Sequence, residues 1–101
     1  MTKQDLLIII DLIERICEHY EIVEGNRVFE ILYHFIEKSD KYGRYSVYEQ
    51  SLYSELDYYA ETYIKNDLRI LTEKGILICE ENDLDKYYTL NYDKLNEEID
   101  L

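Results

Sequence analysis

Residues 62–92, TYIKNDLRILTEKGILICEENDLDKYYTLNY, decide how the rest of the chain is read. Ile64, Leu68 and Leu71 recur at i, i+4 and i+7, which places them on one face of a helix. Lys74-Gly75 closes that helix: a cation in the last turn, then a residue free to take φ > 0. Ile76 to Cys79 (ILIC) follows as an apolar strand, and Lys86 to Leu90 (KYYTL) as a second, rich in β-forming side chains. Between them Glu80 to Asp85 (EENDLD) is polar enough to be the hairpin tip. The stretch is therefore a helix running into a two-stranded ribbon.

Working outward, Ser46-Val47-Tyr48-Glu49 has the S-x-x-E spacing of a capping box and opens a helix to about Asp57, with Leu52, Leu56 and Tyr59 as its stripe. Ser39 to Tyr45 (SDKYGRY) turns around Gly43 and leads into a short strand at Arg44-Tyr45. Gly25-Asn26 breaks the chain before that, with Asn26 as the expected cap of a helix over 27–38 that buries Val28, Leu32, Phe35 and Ile36. Thr2 to Asp5 again has capping-box spacing and starts a first helix. From Leu6 to Cys17 its apolar residues wrap more than half the circumference, and such a helix needs cover on two sides. A domain of this size supplies too little, so a homodimer is expected, with Leu6, Ile9, Ile10, Ile13 and Ile16 at its interface. After the ribbon, Asn91 to Ile99 (NYDKLNEEI) reads as a short last helix.

The 101 residues thus make one α+β domain, mainly α with a small β-hairpin, in the order helix, helix, short strand, helix, helix, strand, strand, helix. It divides into an N-terminal dimerisation helix (1–22), a core (26–92) and a short C-terminal helix or tail (93–101). A hydrophobic content of 47% with 34% charged residues is globular, which argues against disorder. No apolar run reaches the ~18 residues of a spanning helix, so no membrane partner is expected. Two cysteines are too few for a disulfide framework, and free thiols in the cytoplasm are the expectation.

The formal charge of −12 opposes nucleic-acid binding as a whole, because such binding draws its affinity from neutralised phosphates. The charge is uneven, however. Residues 1–37 carry three basic and eight acidic side chains (−5), residues 38–78 six and seven (−1), and residues 79–101 two and eight (−6). Only the middle third, which holds the decisive helix, is near neutral.

With this order in view, residues 26–92 resemble the winged helix-turn-helix superfamily. Leu68 to Leu77 (LRILTEKGIL) looks like the end of the recognition helix in ArsR- and MarR-type regulators. Lys86 to Leu95 (KYYTLNYDKL) is similar to the closing wing strand of small plasmid or phage replication and partition proteins. The chain departs from the pattern in two places. Tyr58-Tyr59 stands where the family has a glycine and an aliphatic residue, and the hairpin tip is acidic where DNA-binding wings carry Arg or Lys.

The resemblance implies a non-enzymatic, dimeric protein that places helix 62–74 in the major groove of double-stranded DNA. The face opposite Ile64, Leu68 and Leu71 holds Thr62, Asn66, Arg69 and Glu73, with Lys65 on its flank. Asn pairs bidentately with adenine and Arg with guanine, while Thr and Lys suit phosphates. Lys41, Arg44, Tyr45 and Tyr63 complete the expected DNA-contacting set. The alternative is an acidic module of the same fold that binds a protein partner, as an adaptor or an inhibitor would. Cys17, His19, His34 and Cys79 are the soft metal ligands, but without a C-x₂-C or H-x₃-H clip no metal is expected. No nucleophile elbow, phosphate loop or cofactor motif is present, so neither enzymatic activity nor a cofactor is expected.

Overall fold

A computed structural model describes residues 3–23, 25–39, 46–83 and 85–99. Five helices and a three-stranded sheet follow one another as α1 (Lys3–His19), α2 (Asn26–Lys38), β1 (Ser46–Tyr48), α3 (Glu49–Glu55), α4 (Glu61–Glu73), β2 (Leu77–Asn82), β3 (Asp85–Leu90) and α5 (Tyr92–Ile99). The sheet is antiparallel with order β1-β3-β2, so the last strand in sequence runs up the middle. The α+β class and the element order agree with the sequence reading. Among the described residues no helix is long and apolar enough to cross a membrane.

The junction after α4 shows why the chain turns where it does. Lys74 is the cap, and Gly75 takes φ +80. The Ile76 amide returns to the Leu71 carbonyl at 2.9 Å, and the Gly75 amide to Thr72 at 3.0 Å. Both bonds satisfy carbonyls that the helix end leaves open. Ile76 and Leu71 are buried together across the turn, and Asn91 locks it, its side-chain amide donating to the Gly75 carbonyl at 2.9 Å. The end of α1 repeats the pattern without glycine: Ile22 bonds back to Cys17 at 2.8 Å, and Glu21 takes φ 56. Gly75→Ala is expected to cost about 1–2 kcal/mol, whereas Glu21→Gly should cost nothing or stabilise slightly. Chemical denaturation of the two variants checks the contrast.

Three local expectations need correction. Asn26 is the first helical residue of α2, and the cap position is the extended Gly25, which has no side chain to offer. Ser46 does not cap a helix; Ser46–Tyr48 is the short strand β1, placed after the expected Arg44-Tyr45, which lies outside the described residues. Pairing decides this: Val47 sits opposite the buried Tyr88, and the Ser46 and Thr89 hydroxyls bond at 2.6 Å. Helix α3 therefore starts at Glu49 and ends at Glu55, short of Asp57. The hairpin is also longer than its composition suggests. Glu80, Glu81 and Asn82 remain in β2, opposite Tyr87, Lys86 and Asp85, and Asp83 turns the chain at φ 57.

One apolar core joins the elements, with Ile13, Ile16, Ile31, Leu32, Phe35, Leu52, Ile64, Leu68, Leu71, Ile76, Leu77 and Leu95 all fully enclosed. This revises the expected dimer face. Ile13 and Ile16 have no area left to give a partner, and Ile9 and Ile10 are half-buried. Within α1 it is Leu6, Leu7 and Ile8 that stand exposed.

A buried ion pair fixes α4 against α2. Asp67, only 4% exposed, accepts hydrogen bonds from Nε and Nη2 of Arg27, the second at 3.2 Å. These bonds hold the Arg27 pKa above its ordinary value. Asp67 lies about 100° round α4 from Asn66 and about 160° from Arg69, so the pair anchors the helix while Asn66 and Arg69 stay exposed.

Candidate nucleic-acid interface

The outward face of α4 and the inward parity of the hairpin meet in one groove of about 480 Å³. From α4 come Thr62, Lys65, Asn66, Arg69, Thr72 and Glu73; from the strands come Cys79, Lys86 and Tyr88. Strand alternation explains the second set. Tyr88 and Leu90 are buried under the helices, so Lys86, two residues earlier, lies on the same side. The opposite face of the sheet carries Ile78, Glu80, Tyr87 and Tyr48 to solvent, with the Tyr48 and Tyr87 rings edge-to-face at 5.8 Å.

Three of the chain's 11 basic side chains converge on this groove, against its overall charge of −12. Lys65 makes no ion pair among the described residues. Arg69 is held on both sides along the helix: its Nη1 donates to the Glu73 carboxylate and its Nη2 to the side-chain Oδ1 of Asn66, each at 2.8 Å. Arg69 and Glu73 are 57% and 63% exposed. An exposed i,i+4 pair is worth only about 0.3–0.5 kcal/mol, so Arg69 can leave Glu73 for a stronger acceptor at little cost. Lys86 lies 3.9 Å from its cross-strand neighbour Glu81, which is also exposed. Burial pushes the Tyr88 phenol well above its ordinary pKa, so it remains neutral.

Of the residues expected to touch DNA, Thr62, Lys65, Asn66 and Arg69 are brought together here, whereas Lys41, Arg44 and Tyr45 lie outside the described residues. Tyr63 is exposed but does not line the groove; the Arg27 guanidinium sits 4.9 Å from its ring centre. Sequence reading missed Lys86, Thr72 and Tyr88. For Lys86 the signal was present, since the parity of KYYTL places it with its second tyrosine.

The soft ligands stand apart. Cys17 is buried in the core, Cys79 lies at the groove, His34 contacts Glu55 at 3.0 Å, and His19 lies 3.6 Å from Glu98. Among the described residues no three His, Cys, Asp or Glu side chains form a group able to hold a metal ion. No family model, curated protein or solved structure matches the chain. Its reading rests on this geometry.

Proposed function

We propose that the chain is a winged helix-turn-helix protein that binds double-stranded DNA, with α4 as the helix that enters the major groove and the β2–β3 hairpin as the wing. The observation that carries this reading is the convergence of Lys65, Arg69 and Lys86 with Thr62, Asn66 and Thr72 in a single groove of an otherwise acidic molecule. The succession of helix, strand, two helices and a hairpin, with β3 central, supports the fold assignment. Thr62, Lys65 and Asn66 lie in the N-terminal half of α4, the part that meets base edges in such folds. Glu73 lies at the far end. A gel shift on genomic fragments at low salt tests the reading; micromolar protein that retards no fragment would count decisively against it.

Glu73 provides a sharper probe. Glu73→Gln removes a carboxylate from the groove and releases Arg69, so affinity should rise about three- to tenfold and the salt dependence steepen by about one counterion. Anisotropy titrations at several salt concentrations measure both. An unchanged affinity would place Glu73 outside the contact.

A second reading is favoured by the hairpin itself, where Glu80, Glu81, Asp83 and Asp85 are all exposed. That end of the molecule suits a basic protein partner, and the fold would then act as an adaptor or an inhibitor. A pull-down with and without nuclease separates the two: capture that survives nuclease and the substitutions Lys65→Ala and Arg69→Ala favours the protein partner.

A further inference from the structure

We infer that the groove between α1, α2 and the turn after α3 binds a small organic cation of the alkylammonium or quaternary ammonium class. The groove measures about 500 Å³ and shares no residue with the one between α4 and the hairpin. Helix α2 supplies most of its wall, and Leu6, Glu55, Leu56 and Tyr58 close the sides.

Helical spacing builds that wall. Phe29, Tyr33, Glu37 and Glu30 fall within an arc of about 100° on α2, opposite the enclosed Ile31 and Phe35. The Phe29 and Tyr33 rings are half-buried and nearly parallel, 6.1 Å apart at 19°. A third ring, that of Tyr58, is 63% exposed, and its phenol donates to Glu30, which fixes it beside a carboxylate. Aromatic faces attract a cation held within about 6 Å of the ring centre.

The charges act in the same sense. Glu30, Glu37 and Glu55 set three carboxylates against one ammonium, that of Lys38. Glu37 is exposed and enters no ion pair among the described residues. Burial holds the His34 pKa below its ordinary value, so the ring is neutral at neutral pH and leaves the charge of Glu55, 3.0 Å away, uncancelled. Leu6 and Leu56 offer apolar contact to alkyl or aryl substituents, which a bare metal ion lacks. The volume falls within the roughly 300–1,000 Å³ of small-molecule sites, which suits a whole ligand rather than one inserted lysine side chain.

Isothermal titration calorimetry of the intact chain with benzyltrimethylammonium chloride tests this without nucleic acid, so its outcome is separate from that of the DNA reading. One cation should bind per chain with a Kd of roughly 0.1–1 mM, as befits a ligand of this size. Benzyl alcohol and benzoate, similar in shape but neutral and anionic, should bind at least about tenfold more weakly. Tyr58→Leu, at an exposed position, should weaken binding of the cation about three- to tenfold without altering the thermal melt. Glu37→Gln should weaken it about two- to fourfold, and Lys38→Gln should strengthen it by a similar factor. No heat at ~10 mM cation, equal binding of benzoate or benzyl alcohol, or an affinity untouched by both Tyr58→Leu and Glu37→Gln would each overturn the inference.

Discussion

Replacing Arg27 with alanine is expected to lower folding stability by about 3 kcal/mol, more than any other single surface-accessible change considered for this chain. The reason is the asymmetry of its ion pair. Asp67 is 4% exposed in the middle of α4, while Arg27 is 34% exposed at the start of α2. Taking away the guanidinium leaves a carboxylate enclosed with no counter-charge, and the cost is that of an unpaired buried ion. Taking away the carboxylate instead leaves an arginine that can swing into solvent, so Asp67→Ala should cost only about 1–2 kcal/mol. Pairing the two losses as Arg27→Met with Asp67→Leu should recover most of the difference, because neither charge is then stranded. Urea denaturation of all three variants checks the order. Equal losses for Arg27→Ala and Asp67→Ala would mean that the pair is solvated rather than buried.

The second large effect concerns binding rather than folding. Lys65→Ala combined with Arg69→Ala should weaken DNA binding about a hundredfold and reduce the salt dependence by about two counterions. Both side chains are exposed, so the melt should be unchanged. Loss of Arg69 also leaves Glu73 uncompensated in the groove, which adds repulsion towards phosphate. Lys74→Ala serves as the control, since Lys74 lies outside this groove; its affinity should stay within about twofold of the parent if the contact is as local as the geometry implies.

Much of this was legible in the residues because local signals and burial agreed. The Ile64, Leu68 and Leu71 stripe and the Gly75 stop each mean one thing and are enclosed or turned as expected; of the apolar ILIC segment Ile76 and Leu77 are enclosed, while strand alternation turns Ile78 to solvent. The polar face of α4 follows from that stripe by geometry alone. Signals failed where tertiary pairing overrode local chemistry. Ser46 to Glu49 satisfies a capping spacing, yet strand pairing with Tyr87 to Thr89 recruits its first three residues. Glu80 to Asn82 looks like a turn, yet cross-strand partners extend the hairpin, with Tyr87 donating to Glu80 at 2.7 Å. The end of α1 carries no glycine, and Glu21 accepts a left-handed conformation that composition gives no reason to expect. Ile13 and Ile16 belong to the same apolar run as Leu7 and Ile8; only the placement of α2 and α5 separates those that serve the core from those left outside. Lys86 was missed although the parity of its strand already put it on the side of Tyr88.

The most direct test of the account is the binding of a labelled mixed-sequence duplex of ~20 base pairs, followed by anisotropy as salt is raised from roughly 50 mM. The groove predicts saturable binding at low salt that weakens linearly on a log–log plot and is lost in the Lys65→Ala, Arg69→Ala double variant. Binding that is absent at tens of micromolar protein, or that persists unchanged in the double variant, would contradict it.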